Sequence, residues 1–157
     1  MATYKTSHAN EVIPMPVANG AELVSVRMEL DVDTALALND IIHMGFLPED
    51  HIMVDAMVDA DELDTGADAI TLQAGALNTG ATDIDLPNSG GASWVGSSTV
   101  GQAGGVARAD SEAITRVPVS STVRRNIGLK VAAGPGTGAT GVKVGLTVWY
   151  RAATHAA

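Results

Sequence analysis

Two stretches of the chain carry residue types that could do chemistry. One is the acidic run Asp59-Ala60-Asp61-Glu62-Leu63-Asp64, and the other is Gly136-Thr137-Gly138-Ala139-Thr140-Gly141. Clustered carboxylates can coordinate Ca²⁺ or Mg²⁺ through oxygen. An EF-hand loop starting at Asp59 would place Leu63 at a ligand position, Asp64 where Gly is required and Ile70 where Glu is required, so that motif fails. A looser cation site between loops stays open, with a solvated acidic turn as the default. The glycine run is a literal G-x-G-x-x-G, whose dinucleotide chemistry needs a following helix to hold the pyrophosphate. Val142-Lys143-Val144-Gly145-Leu146-Thr147-Val148 follows instead, a strand pattern, and Val142 stands where a P-loop needs Lys. The glycines therefore read as a flexible loop closing a hairpin.

Other candidates are weaker. His8, His43, His51 and His155 lack metal-ligand spacing, although His43 and His51 flank a turn and could approach one another. Ser93, in Gly91-Ala92-Ser93-Trp94-Val95, lacks the closing glycine of a nucleophile elbow. A carboxylate pair for glycoside hydrolysis would need aromatic platforms, and aromatics are 3% of the chain. Cysteine is absent, which removes disulfides, thiolate nucleophiles and cysteine zinc sites. These observations point away from an enzyme and from any cofactor. Arg124-Arg125 is the one adjacent basic pair.

The elements that would position such residues have a period of two. Val24, Val26, Met28 and Leu30 alternate with Ser25, Arg27 and Glu29. Ile52, Val54, Ala56 and Val58 form the expected inward set of His51–Asp59, and Ile70, Leu72 and Ala74 that of the next strand. Ile127, Leu129 and Val131, then Val144, Leu146, Val148 and Tyr150, repeat the pattern. Asp40–Met44, Ser93–Val95 and Ile114–Val119 are shorter strand candidates. Asp33–Asn39 is the one helix-like segment, and residues 96–113, rich in Gly, Ser and Ala, read as a mobile loop. Short strands with glycine-rich turns predict an all-β antiparallel sandwich, jelly-roll-like or Ig-like.

Length fits a single domain: 157 residues, with the sandwich over 21–151 and a short tail over 152–157. Residues 1–20 read as an extended arm, because Pro14 and Pro16 cannot both sit in a helix or a central strand. Such an arm either packs on its own domain or reaches a neighbour. The net charge is −9, which argues against nucleic acid as a partner, and no apolar run is long enough for a membrane helix or signal peptide. Charge is also unevenly placed. Residues 1–105 carry 16 acids and two bases, residues 106–157 seven bases and two acids. The two segments either pair within one molecule or bring separate molecules together.

The centre of the chain runs Leu36-Ala37-Leu38-Asn39-Asp40-Ile41-Ile42-His43-Met44-Gly45-Phe46-Leu47-Pro48-Glu49-Asp50, then Leu63-Asp64-Thr65-Gly66, then Ala69-Ile70-Thr71-Leu72. The end is Leu146-Thr147-Val148-Trp149-Tyr150. This order resembles the small head decoration, or cement, proteins of tailed bacteriophages, over residues 21–80 and more loosely 120–151. The resemblance implies a non-enzymatic virion protein, synthesised in the host cytoplasm and placed on the capsid exterior. Its implied partners are the phage major capsid protein and its own copies, as trimers at local three-folds or dimers at two-folds. The segments expected to touch the shell are Tyr4, Ile13, Pro14 and Pro16 in the arm, with Arg124 and Arg125 facing acidic groups of the lattice. A head-fibre or lectin-like module binding host-surface glycans is the alternative.

Overall fold

The computed structural model describes residues 1–153, so His155 and most of the tail lie outside it. Among the described residues, nine strands form two sheets. They are β1 (Thr3–Lys5), β2 (Leu23–Val32), β3 (Ile41–Leu47), β4 (His51–Ala60), β5 (Thr71–Ala76), β6 (Val95–Ser98), β7 (Gly105–Arg108), β8 (Arg125–Ala133) and β9 (Val142–Ala152). One sheet has the order β1-β3-β8-β5-β6 and the other β2-β9-β4-β7. From β2 to β9 the chain changes sheet at every step except β5 to β6. That winding is a jelly roll, which decides between the two sandwich types expected.

Alternating inward side chains meet in one core that includes Met28, Met44, Leu72, Trp94, Leu129, Leu146 and Tyr150, all fully buried. Ile41, Leu77 and Ala81, with Ile84 against them, cover part of the other face of the first sheet. This second cover explains why β3 is buried along almost its whole length rather than alternately. Gly128 on β8 has no room for a side chain, since a Cβ there would lie 2.2 Å from the Ile42 carbonyl.

Several expectations are corrected. The loop after β8 does not close a hairpin, because β8 and β9 belong to different sheets; it crosses the sandwich. Asp33–Asn39 is not helical. Asn39 turns at φ 65°, its N–H bonds to the Val131 carbonyl, and Asp40 Oδ2 takes the Ala37 N–H. A segment this short cannot hold a helix against such tertiary bonds. Ile114–Val119 is no strand: Glu112–Arg116 is a 3₁₀ helix, capped by Ser111 Oγ, that buries Ile114 beside Val117. Residues 96–113 are structured and hold β6, a helical turn α1 (Val100–Ala103) and β7.

In β4 the inward set is mispredicted in its first half. A bulge between Met53 and Asp55 shifts the register against β9, so Met53 points in and Val54 is exposed. One extra residue reverses the side-chain parity of a strand.

Candidate capsid-contact face

The connections of a jelly roll gather at two ends. At one end, the acidic run and the glycine run meet. Asp64 is fully buried, and its carboxylate accepts N–H bonds from Gly66 (3.0 Å), Ala69 (2.8 Å), Ile70 (3.2 Å), Gly136 (2.9 Å) and Thr137 (3.0 Å). These bonds, led by that from Thr137, hold its pKa well below the usual carboxylate range despite burial. Glycine is needed on both sides of this clamp. A Cβ on Gly66 would lie 2.8 Å from the Thr137 nitrogen, and one on Gly136 would lie 2.7 Å from the Ala67 nitrogen. The other acids of the run point elsewhere: Asp59 pairs with Arg27 and Asp61 takes the Lys143 N–H. Among the described residues, no three His, Asp or Glu side chains cluster as metal ligands.

Nor do the histidines converge. His43 lies buried on β3, with Nε2 3.1 Å from the Gly45 carbonyl, and burial lowers its pKa. His51 begins β4 in the other sheet; Nδ1 faces the Glu49 carbonyl at 2.6 Å and Nε2 accepts the Ala18 N–H at 3.0 Å. With Nε2 as the acceptor, Nδ1 is the nitrogen left to donate to the Glu49 carbonyl.

The opposite end is built by the arm, the β3–β4 turn and the approach to β8. β1 pairs in parallel with β3, and Tyr4 on it is half-buried; burial, then the Asp40 carboxylate, raises its phenol pKa. Thr6 Oγ donates to the Met44 carbonyl and accepts the Ala9 N–H. Further along, Met15 packs on the core above Gly45, where a Cβ would lie 3.2 Å from its sulfur. The Tyr150 hydroxyl donates to the Pro16 carbonyl at 2.6 Å. Burial pushes that phenol up to about 12, so it remains a donor. Between these anchors, residues 10–14 and Val17 project outward. Val12 is 75% exposed, Ile13 48% and Val17 60%, with Pro14 and Pro16 exposed beside them. Val119 and Val123 are also exposed, and Val123 lines a groove together with Arg124.

Arg124 sits at the centre of this end. Its guanidinium lies 3.9 Å from the centroid of the Phe46 ring and forms an ion pair with Glu11. Glu11 adopts φ 59°, an uncommon conformation for a residue with a Cβ, which places its carboxylate on Arg124. Four open grooves, of about 570, 380, 630 and 600 Å³, all border Arg124. Arg125 has a different fate. As the first residue of β8 it points inward, is 7% exposed and donates to the His51 carbonyl at 2.8 Å, so its side chain is held within the domain rather than presented at the surface as expected.

The charge asymmetry is met largely inside the molecule. Arg108 pairs with Asp55, Arg124 with Glu11, Lys130 with Asp83, and Lys143 with Glu29 and Asp31. Each is a base of the second segment on an acid of the first. Sequence reasoning missed Phe46, Glu11, Val119 and Val123; Phe46, the one phenylalanine, two residues before Pro48, was the available signal.

The chain matches no protein-family model and no curated protein. Among solved structures, a chain of the capsid of Ralstonia phage GP4 is similar at a TM-score of 0.83 and 34% identity, over 98% of this chain and 99% of that one. A chain of the cyanophage Pam1 capsid asymmetric unit shares the fold at a TM-score of 0.60 and 20% identity, covering 88% of this chain and 94% of that one. The protein belongs to the family of phage capsid proteins that the GP4 chain represents, and its role is that of a structural virion component.

Proposed function

We propose that the protein decorates the outer surface of a phage capsid and stabilises the expanded shell by bridging neighbouring subunits of the major capsid protein. The observation that carries this reading is the arm end: a loop tied at Thr6, Ala9, Pro16 and Ala18 holds apolar side chains out of the core, around a ring-stacked arginine. Ordering those residues in advance lowers the entropy cost of docking. Apolar area removed from water contributes about 25 cal/mol per Å², less the cost of association. Repeated over every site of a shell, a modest energy per copy resists outward pressure. Ile13, Pro14, Pro16 and Arg124 contact the shell in this reading, while Arg125 is buried and Tyr4 packs against the core. Copies associate on the lattice, as trimers at three-folds or dimers at two-folds.

Expanded empty capsids lacking the protein provide the test. Purified protein should co-sediment with them to saturation and raise their rupture temperature. No co-sedimentation and an unchanged rupture temperature would sink the reading.

A further inference from the structure

Every open sheet ends in edge strands, whose unpaired backbone groups are templates for another strand. Three of the four edges here are strands of three or four residues, namely β1, β6 and β7. The fourth, β2, is ten residues long. Its ladder with β9 runs through ten consecutive pairs without a bulge, whereas the β3–β8, β4–β9, β5–β6 and β5–β8 ladders each shift register. β2 contains no proline. Among the described residues, β9 is the only backbone hydrogen-bonding neighbour of residues 23–31. Folds blunt edges by shortening them, bulging them or inserting proline, and β2 does none of these. What β2 does carry is charge, and the order of its signs selects a partner.

The side chains on its outer face are Leu23, Ser25, Arg27, Glu29 and Asp31. For an antiparallel pair of two β2 strands, register decides which charges stand opposite one another. A two-fold axis at Arg27 would oppose Arg27 to itself, and one at Glu29 would oppose Glu29 to itself. An axis at Met28 sets Arg27 of each copy against Glu29 of the other, twice, and Ser25 against Asp31. We propose that β2 pairs antiparallel with β2 of a second copy about an axis at Met28, joining two four-stranded sheets into one of eight. Reciprocal contacts of this kind are the property of a two-fold interface. The pairing side chains are already ordered within each copy: Asp59 holds the Arg27 guanidinium with two oxygens, and Lys143 holds Glu29. The outcome is a dimer that needs no shell, so it stands or falls separately from capsid binding.

Sedimentation equilibrium on the isolated full-length protein tests it. The protein should be a dimer; R27E, which opposes two acids twice over, should weaken dimerisation at least tenfold, and R27E/E29R should restore it. A spin label on S25C, in a chain that has no other cysteine, gives an independent reading. Ser25 opposes Asp31 of the other copy in this register, so the two labels sit six residues apart along the strands, about 20 Å. A monomer at every concentration, a trimer, or a dimer of full strength in R27E overturns the proposal. If R27E does not fold, the label distance decides alone, and a value away from about 20 Å, or no interchain distance, overturns it.

Discussion

The two ends of the sandwich use the same materials, a carboxylate and mobile-looking loops, to opposite purposes. At the Asp64 end, one buried carboxylate satisfies five backbone N–H groups from two segments far apart in sequence, and glycines let the backbones close on it. The Asp64 carboxylate is engaged wholly within the fold. At the Arg124 end the carboxylate, Glu11, is exposed and paired with an exposed arginine, and the loops turn valine, isoleucine and proline toward solvent. The first end stabilises the fold. The second is ordered by the fold and left uncovered.

Changes at the Asp64 end should act on stability and changes at the Arg124 end on capsid binding. Asp64→Asn should have the largest effect, lowering the thermal midpoint on the order of 10 °C or more, because an amide cannot replace a carboxylate accepting five donors. The pH dependence has a definite sign. Asp64 is held below its unfolded value, so its contribution is complete above about pH 4 and is lost as pH falls through the folded value. Acid denaturation curves of the variant should lack that limb. Next is Gly136→Ala, whose Cβ meets the Ala67 backbone; denaturant titration should give a loss of about 1–3 kcal/mol.

His43 sharpens the comparison from the other end, since burial lowers its pKa. A histidine with a lowered pKa favours the unfolded state once the unfolded ring protonates. Stability should therefore fall as pH drops below about 6.5, and His43→Phe should flatten that slope in denaturant titrations across pH. Tyr150→Phe removes the hydroxyl bond to Pro16, costing about 1 kcal/mol and speeding hydrogen exchange at the Ala18 amide as the arm loosens. Arg124→Ala should be the mildest for the fold, under about 1 kcal/mol, since its ion pair and ring contact are exposed. The same variant should weaken co-sedimentation with expanded capsids at least tenfold.

Strand alternation carried most of the fold into view, since the alternating apolar residues of Val24–Leu30, Ile127–Val131 and Val144–Tyr150 all pack in or against the core. What stayed hidden depends on distant partners. The bulge in β4 has no local signature, and it alone decides whether Met53 or Val54 faces the core. The glycine run looked like a hairpin because two strands flank it; only the sheet order makes it a crossing. Asp64 and Gly136 each looked like possible chemistry taken singly, and their meeting is a tertiary fact. Arg124 and Arg125 read alike as a basic pair, yet the start of β8 turns one outward and buries the other.

In the proposed function the Arg124 end meets the capsid. A cryo-EM map of expanded capsids decorated with the protein tests it directly. Each copy should show density with residues 10–17 and Arg124 against the shell and the Asp64 end pointing away. Copies docked by the Asp64 end, or shells with no added density, would contradict it.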